Sequence, residues 1–166
     1  MTEPPRYFGK YRGVVTDADD RLGQGRVQVR VPDTTGEHAS TWALPCVPIG
    51  GPGYGFYAVP RVGDHVWIEY EYGDLRHPIW VGCFWSRKDD LPRPAQADPP
   101  AAAVWLTPGN LGLFVRDGDQ PALVLLGPSG ARITLDATGI EITNGRAVIK
   151  LASGNVTIND GALEVR

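Results

Sequence analysis

Ile133-Thr134-Leu135-Asp136-Ala137-Thr138-Gly139-Ile140-Glu141-Ile142 holds two copies of the pattern that decides the fold. An apolar–polar–apolar triplet, followed by a cluster of turn formers, recurs through the rest of the chain. The later copies are Ile149-Lys150-Leu151, Val156-Thr157-Ile158 and Leu163-Glu164-Val165. Alternation puts the outer residues of each triplet on one face of a strand and the middle residue on the other. Between triplets stand Asp136-Ala137-Thr138-Gly139, Asn144-Gly145, Ser153-Gly154-Asn155 and Asn159-Asp160-Gly161. Asn and Asp bond to their own backbone and glycine accepts positive φ, so each cluster can reverse a short strand.

Such a ribbon has one continuous apolar face and no second layer. Its outer residues are Ile133, Leu135, Ile140, Ile142, Ile149, Leu151, Val156, Ile158, Leu163 and Val165. Each is worth about 1.5–3 kcal/mol when fully buried. A meander packed on the rest of its own chain is one solution. Identical ribbons from other copies, packed face to face in an oligomeric β-prism, are the expected one, and these ten residues are the expected core. A single-chain solenoid requires several strands per coil and a longer period.

Composition supports an all-β chain. Gly 21 and Pro 15 are scattered along the sequence, as many turns require. The net charge of −3 gives no electrostatic pull toward nucleic acid. No run approaches the ~20 apolar residues of a membrane helix. Met1-Thr2-Glu3-Pro4-Pro5 lacks a signal-peptide pattern, so synthesis in the cytoplasm without a signal peptide is expected. Two cysteines, Cys46 and Cys83, make no disulfide framework and are expected as buried free thiols.

The N-terminal half reads as five strands. Phe8 to Thr16 alternates, and Arg26 to Val31 sends Val27, Val29 and Val31 one way. Asp33 to Ser40 is a polar loop. Thr41 to Pro48 is extended but broken by Pro45 and Pro48, as on an edge. Gly50-Gly51-Pro52-Gly53-Tyr54-Gly55 lacks the helix and Lys-Ser/Thr of a phosphate cradle and reads as a flexible connection. His65 to Tyr72 places Val66, Ile68, Tyr70 and Tyr72 on one face, and Ile79 to Trp85 is the last strand. Five such strands fit a small Greek-key barrel of the OB type.

Gly25-Arg26-Val27-Gln28-Val29-Arg30-Val31-Pro32 and Pro60-Arg61-Val62-Gly63-Asp64-His65-Val66-Trp67-Ile68-Glu69-Tyr70, followed by Gly73-Asp74 and Pro78-Ile79-Trp80-Val81-Gly82, resemble the OB domain of contractile-tail spikes. That family includes the phage baseplate assembly protein V, the spike of extracellular injection systems and the valine-glycine-repeat spike of type VI secretion. The stretches Gly130 to Gly145 and Val156 to Val165 are similar to the three-chain β-helix that ends those spikes. The resemblance implies an OB barrel over residues 1–85 and an intertwined trimeric β-helix over 104–166; between them the Pro- and Ala-rich composition of 86–103 reads as a stiff, extended linker.

It also implies a homotrimeric, non-enzymatic spike of a phage-tail-like particle, touching a target membrane only in passing. A hub protein is expected at the barrel end, because the type VI hub domain has no counterpart here. Some relatives carry a lysozyme domain between barrel and β-helix, and Ser86 to Ala103 is too short for one. Some phage relatives end in a His-x-His iron site, whereas this sequence ends Ala162-Leu163-Glu164-Val165-Arg166. No metal or other cofactor is therefore expected. A separate PAAR-repeat-like tip docking on Leu163, Val165 and Arg166 is expected instead. His38, His65 and His77 have no metal-ligand spacing, and no catalytic residue stands out. The alternative is an oligomeric OB module binding single-stranded nucleic acid or glycan, with Trp42, Trp67, Trp80, Trp85 and Trp105 as stacking candidates.

Overall fold

A computed structural model describes residues 5–159 and 162–165, with the backbone alone at 164 and 165. The chain divides into two compact units, Met1–Ser86 and Arg87–Arg166.

The first unit contains β1 (Tyr11–Asp17), β2 (Gln28–Arg30), helix α1 (Pro32–Thr35), β3 (Leu44–Pro45), β4 (Gly50–Gly51), β5 (Tyr54–Gly55), β6 (His65–Tyr70) and β7 (Pro78–Cys83). Five strands form one sheet in the order β2-β1-β6-β7-β3, antiparallel except for the parallel pair β3 and β7. The residues ahead of β3 turn back onto β2. Ala43 and Val27 exchange backbone hydrogen bonds of 2.8 and 3.2 Å, and the Ser40 N–H donates to the Val29 carbonyl at 2.7 Å. The first and last strands of the sheet thus meet, and the sheet closes as the OB pattern requires.

Alternation fills the interior. Val66, Ile68 and Tyr70 of β6 are buried, while His65, Trp67 and Glu69 between them are half-buried. Val15, Val27, Val29, Val31, Ala43 and Trp80 complete the core. The polar groups taken inside are satisfied. The Trp80 indole N–H donates to the Gly25 carbonyl at 3.1 Å, and Tyr70 Oη pairs with Thr34 Oγ1 at 2.7 Å. The β1–β2 turn is organised by Asp20, whose carboxylate accepts the backbone N–H groups of Leu22, Gln24 and Arg26 and the Arg26 guanidinium. The guanidinium bond is the main cause holding this carboxyl well below the usual carboxylate range, and the backbone donors add to it.

Several expectations need correction here. Tyr72 does not continue the β6 face: the strand ends at Tyr70, and Tyr72 turns out at φ 51° and is exposed. The turn at Gly73-Asp74 starts earlier than alternation suggests, because the Glu71 N–H bonds to the His77 carbonyl. The loop after Val31 holds the one-turn helix α1, with Pro32 at its first position where a missing N–H costs nothing. The last strand stops at Cys83, short of Trp85. Cys46 and Cys83 are free but exposed, not buried, because they lie just past β3 and at the end of β7. Partial burial of the Cys83 thiol, with the Asp64 charge, nevertheless pushes its pKa up. The glycine stretch is a small hairpin, β4 paired with β5, rather than a loose connection.

The second unit begins with a single 3-10 turn at Lys88–Asp90 and helix α2 (Arg93–Gln96), so the segment expected to be extended is folded into short turns. Eight strands follow: β8 (Ala103–Leu106), β9 (Gly112–Arg116), β10 (Ala122–Leu126), β11 (Arg132–Asp136), β12 (Gly139–Thr143), β13 (Val148–Ala152), β14 (Asn155–Ile158) and β15 (Leu163–Val165). They pair in strict chain order, every pair antiparallel. The turn residues act as their chemistry requires. Asp136 Oδ1 accepts the Thr138 N–H at 2.8 Å, and Asn144 Oδ1 accepts those of Arg146 and Ala147 at 3.0 and 2.8 Å. Gly139 is needed for space: a Cβ there would collide with the Leu151 carbonyl on the neighbouring strand.

Candidate assembly interface

The register of the eight-stranded sheet has a simple consequence. Ala103, Val115, Leu123, Leu135, Ile140, Leu151 and Val156 lie opposite one another in succession. So do Trp105, Leu113, Leu125, Ile133, Ile142, Ile149, Ile158 and Leu163. Residues of the two rows are two apart on each strand, so both rows lie on one face. That face carries no polar side chain across the described strands. Val165 holds the register position opposite Val156, which continues the first row along the backbone.

Among the described residues of the second unit, no second layer packs on this face. Ile142 keeps 41% of its surface exposed, and Leu135, Ile140, Ile149 and Leu151 are similarly bare. Strand-to-strand hydrogen bonds, by contrast, are made within one chain. The ribbon lacks cover for its side chains rather than partners for its backbone between strands. A contiguous apolar surface of this extent marks an interaction site on a soluble protein.

Between the two rows, on the opposite face, runs a third: Val104, Phe114, Val124, Thr134, Glu141, Lys150 and Thr157. It is apolar over the first three strands and polar from Thr134 on. The Arg132 guanidinium donates to Glu141 at 2.9 Å across β11 and β12, and Lys150 Nζ lies 4.0 Å from the same carboxylate. From β11 to β13, charged side chains therefore stand on the face opposite the apolar rows, whereas over β8 to β10 that face is itself largely apolar, with Ala122 and Val124 buried.

The structure brings Ile133, Leu135, Ile140, Ile142, Ile149, Leu151, Val156, Ile158 and Leu163 onto one surface. The rows extend further than the triplets, through Trp105, Leu113, Val115, Leu123 and Leu125. Leu123-Val124-Leu125 and Leu113-Phe114-Val115 are apolar at every position, which hides their alternation. At the far end Leu163 is 54% exposed, and Arg166 lies outside the described residues.

The other singled-out residues do not converge. Among the described residues no group of three His, Cys, Asp or Glu could hold a metal ion. His65 stacks near Phe84 at 5.4 Å, His77 lies 3.5 Å from Asp74, and His38 is exposed. Of the tryptophans, Trp80 is core, while Arg26 sits over Trp42 and Arg12 over Trp67. A guanidinium thus covers one face of each of those two rings, while Trp85 and Trp105 are exposed and lie in different units.

A small closed barrel and a one-layer ribbon with a bare apolar face make up an all-β chain. Residues 11–85 match the type VI secretion system/phage-baseplate injector OB domain, and residues 102–164 match the phage baseplate V C-terminal trimerisation domain. The type VI secretion system spike protein VgrG4b of Pseudomonas aeruginosa is 32% identical over 97 residues, which are 53% of this chain and 12% of that protein's length. The chain belongs to the baseplate spike family, and its ribbon is the trimerisation domain of that family.

Proposed function

We propose that the protein is the homotrimeric central spike of a contractile injection apparatus, which docks on a hub and is driven through a target envelope when the sheath contracts. The observation that carries this is the pair of in-register apolar rows, uncovered on a ribbon that matches a trimerisation domain. Three such faces turned inward make a prism with a continuous aliphatic core. Bending or splitting the rod would expose many side chains together, so stiffness follows from the same burial that drives assembly. Its work is mechanical, and its residues of consequence are the rows themselves.

In this reading residues 1–85 are the barrel that meets the hub, 86–103 the connection and 104–166 the rod. A PAAR-repeat-like tip would seat on the end that carries Leu163, Val165 and Arg166. Replacing the chromosomal copy by the Ile142→Asp form in the producing cell tests the whole proposal. Particles should then lack a spike, and delivery into target cells should stop. Normal delivery with that form in place would overturn it.

A further inference from the structure

The hairpin β4–β5 lies in the most apolar stretch of the first unit. From Ala39 to Pro60 no residue carries a charged side chain, and every residue from Cys46 to Ala58 is exposed. Val47, Ile49, Tyr54, Phe56 and Tyr57 therefore present their side chains to water, Tyr57 at 76% and Tyr54 at 65% exposure. The arm is nonetheless built to a shape. The Phe56 N–H donates to the Ile49 carbonyl at 3.0 Å, and the Tyr54 ring lies where a side chain on Gly51 would go. A Cβ at Gly55 would press on the Gly50 backbone at 2.9 Å. At its base the Tyr57 ring packs beside Gly25 of the barrel. An ordered, uncharged, aromatic arm has the composition of an interface core rather than of a solvated loop.

We infer that this arm seats on the barrel of the neighbouring copy in the trimer. The inference rests on the trimeric reading above. Once the ribbons assemble, three barrels are tied together by the segment from Phe84 to Ala102, which reaches at most roughly 65 Å when fully extended. That tether holds each arm near two other barrels at an effective concentration on the order of millimolar, so a weak apolar contact suffices. The arm offers no charge with which to select a foreign partner, and left bare it would associate indiscriminately. The same unit offers separate apolar side chains, Phe8, Tyr72 and Trp85, each more than 60% exposed. An arm on one copy and any of these separate side chains on the next make a head-to-tail contact, which closes into a ring of three.

The test places the photo-crosslinker p-benzoylphenylalanine at position 54 of the full chain and irradiates the purified trimer. Covalent dimers and trimers should appear after boiling in detergent, with the crosslinked peptide from residues 5–86 of another copy. Phe56→Ser with Tyr57→Ser should lower that yield about tenfold while the mass stays trimeric. Crosslinks confined to the same chain or to the C-terminal sheet, or a yield unchanged by the double variant, would overturn the inference. A sample that is not trimeric before irradiation sinks the assembly reading itself, a failure distinct from loss of crosslinking in an intact trimer.

Discussion

Ile142→Asp probes the apolar face at its middle. Ile142 keeps 41% of its surface exposed in the single chain. Full burial of an isoleucine side chain is worth about 1.5–3 kcal/mol, so roughly 0.6–1.2 kcal/mol per copy remains to be gained on assembly. Summed over the exposed large residues of the two rows, that is on the order of 5–10 kcal/mol per chain, comparable to the cost of association. Aspartate removes this share in all three copies and adds three carboxylates to a dry core, each costing several kcal/mol. The combined penalty, on the order of 10 kcal/mol or more per trimer, exceeds what the assembly can absorb. Sedimentation of the variant at micromolar concentration should show single chains, and detergent-resistant trimer should disappear. Thr157→Asp, on the opposite face of the adjacent strand pair, should leave both readouts intact, with a stability change within about 0.5 kcal/mol. Acidification should partly rescue Ile142→Asp, because a carboxyl forced into an apolar core protonates more readily than in water. The reasoning is refuted if Ile142→Asp sediments as a trimer with an unchanged melting temperature, or if Thr157→Asp is equally disruptive.

Gly139→Ala should cost at least about 2 kcal/mol in thermal unfolding, since its Cβ must displace the Leu151 carbonyl. Gly154→Ala has open space around it and pays only for positive φ, about 1 kcal/mol; equal losses would contradict the steric account. Asp20 has its carboxyl pKa depressed by folding, so in acid the unfolded chain binds more protons than the folded barrel. Barrel stability should therefore be full above about pH 4 and fall as pH drops below it. Asp20→Asn should flatten that decline and lower stability at neutral pH, and parallel melting-versus-pH curves would exclude the assignment. With its pKa raised, Cys83 should alkylate more slowly than a small-molecule thiol at neutral pH and catch up as pH rises; equal rates at neutral pH would count against it.

The ladder was legible in the sequence because a half-buried strand must alternate, and Ile140-Glu141-Ile142 can alternate in only one sense. The barrel core was legible at Val27, Val29 and Val31 for the same reason. Alternation failed where both faces are apolar, so Leu113, Val115, Leu123 and Leu125 could not be assigned to the rows from their neighbours. It also failed at Tyr72, where parity with Tyr70 suggested a buried face and the backbone had already turned. Gly51 and Gly55 looked like flexibility, whereas they leave room for the Tyr54 ring and the facing backbone. The cysteines looked buried because free cysteine usually is, but a strand end and a sheet edge override that tendency.

The most direct measurement is the molar mass of the purified full chain by light scattering, read as a function of concentration. A value three times the 18.0 kDa chain mass, unchanged on dilution to micromolar concentration, is the expected result. A stable, folded species of one chain mass would mean that the bare face of the ribbon needs no companion copies, and the spike account would not survive it.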